Sequence, residues 1–494
     1  MNRKWTAVLL GLMLCLSAVG AHALEMTGLE TETVERIWAE NKFFARMQAL
    51  TGIAVEPTGI AEAKEYTAML ERMMKGDVQT DVLFKASLSR EQERALLESG
   101  AIIDLAPMID AHMPNLSALL EAHPEWRGVI TLEDGRIASL PLINEKERQA
   151  ALWINRAWLN QLGMDMPENL EELGAALLKI RDSDPNGNGK KDEIGAELIG
   201  VYEMRWLLPY FGIVADDYHL ARSHAGEIVF APELPEYRAF IQLLKDWHDS
   251  GVLPSDAFTR VHATALLTAS DEEKPVTSGL LLSVTPYTHL DAKAVADYVP
   301  LLLAGPDGTT RWRDLLGAVW TGCFAVTSRC EDPAQALAWV DALYAQEGAL
   351  LAYAGVEDED YVVNEQGYWS FGVQGNQDIS RLRSEVLMYT GAVMPGLYPS
   401  DFVYQVDSAL DRHVFAANEQ VRAVSERVTQ PYCLGKEEQA RANELAVVIG
   451  RMVDEGIARF ATGELEINNE NYAAWISQLQ AAGSGELTAL FAGK

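Results

Sequence analysis

The chain has 494 residues, 40 Lys and Arg against 72 Asp and Glu, a formal net charge of −32, and 48% apolar residues. That length buries a large core and exceeds what one core usually serves, so two domains are expected. The negative excess repels phosphate backbones, and no basic run offsets it locally, which excludes nucleic-acid binding.

Met1-Asn2-Arg3-Lys4 is a basic opening, residues 7–20 are apolar, and Ala21-His22-Ala23 has the small-x-small pattern of a cleavage site. Residues 1–23 are therefore expected to be a secretory signal peptide cut after Ala23. No later segment reaches the roughly 18 uncharged apolar residues of a membrane span. The mature chain is thus expected to be secreted, periplasmic, or at the extracellular face of the cell membrane. Leu12-Met13-Leu14 ahead of Cys15 lacks the small residue that lipid attachment needs, so no lipid anchor is expected. Removing Arg3 and Lys4 from the 40 basic residues leaves 38 against 72 acids, a net charge of −34. Cys323, Cys330 and Cys433 remain, an odd number at spacings that build no disulfide framework. They read as small buried hydrophobes, with one bridge open to them in an oxidising compartment.

Residues 32–50 carry Val34, Ile37, Trp38, Phe43, Phe44, Met47 and Leu50 at helical spacing, and 51–55 switches to a strand pattern. Residues 64–74 repeat the helical spacing before Gly76-Asp77 turns the chain into a strand at 81–84. Further amphipathic helices are predicted at 158–162, 170–180, 237–247 and 333–344, with buried strands at 280–284 and 323–326. Strands alternating with helices predict α/β architecture. No long linker separates two halves, so the domains are expected to interleave through short crossings.

Asp184-Pro185-Asn186-Gly187-Asn188-Gly189-Lys190-Lys191-Asp192-Glu193 sets oxygen side chains at loop positions 1, 3, 5, 9 and 10, with Gly at position 6. This is the front half of an EF-hand loop, suited to Ca²⁺, which takes about 6–8 oxygens. Asp184, Asn186, Asn188, Asp192 and Glu193, with the Lys190 carbonyl, form the predicted ligand set. Position 12, normally Glu, is Gly195, so the closing carboxylate falls to Glu193. The competing reading is a solvated Asp-Pro-Asn-Gly turn.

The chain contains no H-E-x-x-H, G-x-S-x-G, Cys-x-x-Cys or strand-linked G-x-G-x-x-G pattern. Catalysis is unsupported, although paired carboxylates of a glycan-cleaving enzyme would be invisible at this level. Eleven tryptophans follow the signal segment, suited to stacking on the C–H faces of sugars. Trp247 and Trp339 continue helix stripes and read as core. Trp38, Trp206, Trp312, Trp320 and Trp369 fall at element ends or loops. Together with Tyr287 and the strand-end pair Phe84-Lys85, they are the candidate ligand contacts, because ligands of open α/β sheets sit beyond strand ends.

One connected pattern runs through Asp134-Gly135-Arg136-Ile137, Leu140-Pro141, Leu152-Trp153-Ile154-Asn155-Arg156, Trp158-Leu159, Leu162-Gly163, Pro167 and Glu171-Glu172-Leu173 into the 184–193 loop. With Asn41-Lys42-Phe43-Phe44, Gly305-Pro306-Asp307-Gly308 and Tyr353-Ala354-Gly355-Val356-Glu357, it resembles the extracellular solute-binding proteins of bacterial ABC importers, in the branch that binds oligosaccharides, alginate and aldouronate. The segment 143–150, with its charged Asn144-Glu145-Lys146-Glu147-Arg148, departs from that pattern. The resemblance implies a two-lobed periplasmic-binding-protein-like α/β fold with hinge-connected, discontinuous lobes. The expected division is 24–145 plus about 327–390, and 146–326 plus about 391–494. It further implies a structural calcium ion, an oligosaccharide held in the interlobe cleft, ABC permease subunits as partners, and a monomer. The rivals are a secreted glycan-cleaving enzyme and a binding protein for peptides or polyamines.

Overall fold

The computed structural model describes residues 23–31, 35–198, 200–223, 225–259, 276–284, 286, 292–314, 317–372, 379–389, 393–429 and 434–493. In chain order the strands are β1 (Leu24–Leu29), β2 (Val55–Ile60), β3 (Val82–Phe84), β4 (Leu140–Ile143), β5 (Ala151–Asn155), β6 (Ile194–Glu197), β7 (Leu220–Arg222) and β8 (Ile228–Phe230). They continue with β9 (Ser278–Ser283), β10 (Tyr298–Pro300), β11 (Trp312–Arg313), β12 (Val319–Val326), β13 (Tyr361–Val363), β14 (Trp369–Phe371), β15 (Gly396–Leu397) and β16 (Ser425–Glu426).

Alternation along β1 turns Leu24 and Met26 inward, and the strand runs parallel to β2 on one side and β3 on the other. Between β1 and β2 lies the helix Lys42–Thr51. The Asn41 side chain caps it by accepting from the Phe43 N–H at 2.9 Å, and Gly52 ends it at φ 74. Its buried face is Phe43, Phe44 and Met47. The helix Ala63–Met73 returns the chain to β3, completing the helix-to-strand unit expected there. The first sheet has the order β15-β4-β12-β3-β1-β2.

The second sheet has the order β10-β5-β9-β6. Every residue of β5 and β9 is buried, as in strands covered on both faces. The predicted helices form as Arg156–Gln161, Leu170–Arg181, Pro235–Asp249 and Pro333–Asp341, the last extended by the 3-10 turn Ala342–Tyr344. Two large apolar clusters result. One joins Trp38, Phe43, Phe84, Phe324 and Trp339 on the first sheet; the other joins Trp153, Phe240, Trp312, Phe460 and Trp475 on the second.

The expected lobe limits need correction. β12 pairs antiparallel with β3 and β4, and β15 runs parallel to β4, so both complete the first sheet although the sequence division assigns them to the second lobe. The apolar run 323–326 suits a buried strand in either sheet; its fit between β3 and β4 decides the matter. The chain therefore crosses between sheets at 144–150, 301–318 and 398–408. No helix of the described residues is long and apolar enough to cross a membrane. The expected signal segment, apart from Ala23, lies outside the described residues, as do Tyr287 and Cys433.

Candidate functional site

The 184–193 loop follows the helix Leu170–Arg181 and feeds β6. The Asp184 carboxylate accepts from the backbone N–H groups of Asn188 at 3.1 Å and Gly189 at 2.9 Å, and Asn188 Oδ1 accepts from the Lys190 N–H at 2.8 Å. Gly187 and Gly189 take φ 70 and 75, which only glycine adopts freely, and the loop curls so that alternate side chains converge. The Asn188 amide donates to both oxygens of Asp192 at 3.1 Å. The Asn186 amide donates to the Val276 carbonyl at 3.0 Å, tying the loop to the approach to β9.

Glu193 is 6% exposed, and neither of its carboxylate oxygens has a hydrogen-bond partner. Burial first, then the nearby charges of Asp184 and Asp192, hold its carboxyl above the ordinary range. An unpaired buried carboxylate facing two further acids is unfavourable unless a cation neutralises it. Among the described residues no three His, Cys, Asp or Glu groups are placed to hold a metal by themselves. A cation in this loop must therefore draw on the Asn186 and Asn188 oxygens and the Lys190 carbonyl as well. Gly195 explains the missing acid at position 12. A Cβ there would lie 3.0 Å from the Val252 carbonyl and 3.1 Å from that of Leu177, so a side chain where β6 begins crowds two backbone segments that would have to give way.

Most of the predicted aromatic contacts belong to the interior. Trp38 and Phe84 are fully buried with ring centroids 5.6 Å apart. The Trp38 indole N–H donates to Glu30 at 2.6 Å, and the buried Lys85 and Arg36 pair with the same carboxylate at 3.4 and 3.2 Å. Strand end does not mean cleft here, because the helix Lys42–Thr51 and Trp339 cover the end of β3. Trp206 and Trp312 are likewise buried, packed at 5.7 Å, with the Trp312 N–H donating to the Ala150 carbonyl at 2.7 Å. These five residues leave no face for a ligand. Trp320, opposite Leu142 on β12, keeps a partly exposed face near the first crossing. Trp369 lies at a cavity.

That cavity, about 460 Å³, opens where the lobes join. The first lobe supplies Tyr353 and the β14 residues Trp369 and Phe371, the crossings supply Arg148 and Asp407, and the helix Ala409–Arg422 of the second core supplies Asp411 and Phe415. Trp369 stacks on Phe402 at 4.8 Å and meets Phe371 edge-on at 5.0 Å, and its buried N–H has no acceptor. The crossings themselves are hydrogen-bonded together. Asn418 accepts from the Gln149 N–H at 2.7 Å and donates to the Tyr404 hydroxyl at 3.0 Å, which donates to the Lys146 carbonyl at 2.8 Å. A larger groove of about 550 Å³ lies on the second lobe, but its Arg311 and Arg427 are paired with Asp307 and Asp314 at 2.8 and 2.9 Å. Sequence reasoning missed Arg148, Asp407 and Asp411. The charged run 144–148 was the available signal, since a crossing between lobes is where polar groups face a cleft.

No family model matches the chain. The fructooligosaccharide ABC transporter substrate-binding protein FusA of Streptococcus pneumoniae is 28% identical over 260 residues, 50% of this chain and 47% of that protein. Lipoprotein LipO of Bacillus subtilis is 40% identical over 47 residues, 10% and 9% of the two chains. The chain thus matches about half the length of the first of these curated relatives and about a tenth of the second. Among solved structures, an HMO-binding ABC-transporter-associated solute-binding protein from Bifidobacterium longum infantis superposes with a TM-score of 0.76 at 18% identity, covering 96% of this chain and 98% of that one. FusA in complex with kestose superposes at 0.67 and 19%, covering 95% and 98%. An EF-hand mutant of FusA, in complex with fructo-nystose, gives the same score. At these identities the likeness is one of fold, and it is plain: the chain has the α/β fold of the ABC-transporter solute-binding proteins.

Proposed function

We propose that this protein is the extracytoplasmic substrate-binding subunit of an ABC importer, holding an oligosaccharide between its lobes and delivering it unaltered to membrane permease subunits. The observation that carries this reading is the aromatic-lined cavity at the joint of the two lobes, in a fold shared with sugar-binding relatives. Phe371 and Tyr353, both partly exposed, offer ring faces for stacking, braced by the buried Trp369, and Arg148 and Asp407 offer hydrogen bonds for hydroxyls. Closure would add contacts made only when both lobes touch the ligand, and that difference in contacts drives it. Titration calorimetry of the mature protein against oligosaccharides, peptides and spermidine, with chromatography of the recovered ligand, tests the proposal. One-to-one binding of an unaltered oligosaccharide is expected; cleavage products, or binding of peptide or spermidine alone, would refute it.

We also propose that the 184–193 loop holds a structural Ca²⁺ through Asp184, Asn186, Asn188, the Lys190 carbonyl, Asp192 and Glu193. The partnerless carboxylate of Glu193 supports this, as does the EF-hand mutant made of the pneumococcal relative FusA. The ion would supply positive charge to three crowded carboxylates and fix the approach to β9, with no part in sugar chemistry.

A further inference from the structure

The charges around the hinge cavity are unevenly satisfied. Lys146 pairs with Asp401 at 2.6 Å, and Glu147 accepts from the Asn144 amide at 2.6 Å and from the Arg148 backbone N–H at 3.2 Å. Between them and the cavity, the Arg148 guanidinium lies 4.8 Å over the Phe415 ring, and among the described residues it makes no hydrogen bond or ion pair. The cation is therefore held in place by an aromatic platform while its donors stay unused. Across the cavity, Asp407 is fixed by its backbone N–H donating to the Trp369 carbonyl at 2.7 Å, and its exposed carboxylate has no partner among the described residues. Asp411, in the first turn of the helix Ala409–Arg422, is placed by its N–H donating to Ser408 Oγ at 3.1 Å. The buried indole N–H of Trp369 is a further unused donor in the same wall.

We infer that this cavity selects uncharged sugar rings, with Arg148 as the specificity-determining donor, Asp407 as the acceptor, and acidic sugars rejected. The inference rests on the oligosaccharide-receptor reading above. A neutral ring with adjacent hydroxyls satisfies the forked Arg148 cation and the Asp407 carboxylate at once, because each hydroxyl both donates and accepts. A uronate gains Arg148 but cannot donate to Asp407 and is repelled by the Asp407 and Asp411 charges in the same lining, within a chain whose formal charge is already −32.

Calorimetry with neutral tri- to pentasaccharides of the malto, fructo and xylo series, against oligogalacturonate and oligoguluronate of matched length, tests this on the mature protein. At least one neutral series should bind at least about 10-fold more tightly than either acidic one. Arg148→Met, which keeps the apolar stem over Phe415, should lose about 10- to 100-fold in affinity for that sugar, with Arg148→Lys recovering part of the loss. Asp407→Asn with Asp411→Asn should narrow the neutral-to-acidic ratio. Thermal melts confirm that each variant is folded, and the wild-type ratio stands even if a variant is not. Uronates binding as well as neutral sugars, or an unchanged affinity in folded Arg148→Met, would overturn the inference and leave the receptor reading intact. Silence toward every carbohydrate would overturn both.

Discussion

Replacing Glu193 by Gln should invert in sign between calcium and chelator. The wild-type carboxylate is buried, lacks a hydrogen bond, and is pushed toward its neutral form by burial and by Asp184 and Asp192. With calcium removed, that charge has nothing to neutralise it, and an unsatisfied buried group costs about 1–3 kcal/mol. Gln has the same shape and no charge, so Glu193→Gln in chelator should be more stable than wild type by about that amount. For a lobe of this size the difference is a rise of about 2–12 °C in melting temperature. With calcium at about 100 times its dissociation constant, wild type gains about 2.7 kcal/mol from mass action alone. Glu193→Gln lacks the charged closing ligand and should gain well under half of that. The two melting temperatures, measured by calorimetry across a calcium titration with magnesium as control, should therefore cross. Glu193→Gln melting below wild type in chelator, or responding to calcium as wild type does, would refute the reasoning.

Asp216 is partly buried and titrates at about 6 instead of 3.8, chiefly through loss of solvent, against opposing hydrogen bonds from the Leu220 N–H and Thr429. A folded value above the unfolded one means stability that is complete below the ordinary carboxylate range and lost as pH rises through about 6. Asp216→Asn should therefore gain on wild type by about 3 kcal/mol between pH 4 and 7 in denaturant unfolding, and parallel pH profiles would contradict this. Glu30→Gln removes the carboxylate facing both Arg36 and Lys85 in the interior and should cost about 3 kcal/mol of first-lobe stability; a loss under about 0.5 would show that the cluster is satisfied by other means. Gly195→Glu restores the usual EF-hand position 12 in sequence, yet should lower the melting temperature in calcium and chelator alike, because its Cβ meets the Val252 and Leu177 carbonyls; tighter calcium binding would overturn that steric argument.

Much of the architecture was legible because periodicity is local. The stripe Tyr237, Phe240, Ile241, Leu244 and Trp247 is one face of one helix, and the structure buries all five. The α/β class followed from alternation of such helices with apolar strands, and the 184–193 turn followed from spacing within ten residues. Pairing partners were not legible, because β12 has the same composition whichever sheet it joins. Most of the candidate aromatics proved to be interior for a related reason. Phe84 does end a strand, but whether that end opens to a cleft depends on Phe43 and Trp339, which lie far away in sequence. Lys85 reads as a ligand contact at a strand end until the fold places Glu30 at 3.4 Å.

The hinge cavity shows why a binding residue on a crossing differs from one on a lobe. Among the described residues the two sheets are joined at 144–150, 301–314 with 317–318, and 398–408, so a change in the angle between lobes turns backbone within these segments. They are bound to one another: Gln149 Nε2 donates to Asp314 at 3.0 Å, and Lys146 pairs with Asp401 at 2.6 Å. Arg148 sits one residue from Gln149, with its guanidinium turned away from this network toward the cavity. A ligand that engages Arg148 from one side and Trp369 and Phe371 from the other therefore loads the backbone that must rotate. A ligand shifts a conformational balance only by its difference in affinity between the two states. Contacts shared between a crossing and a lobe wall change with lobe angle, whereas contacts confined to one lobe do not. Binding at this joint is thereby coupled to closure by geometry, without any relay through either hydrophobic core.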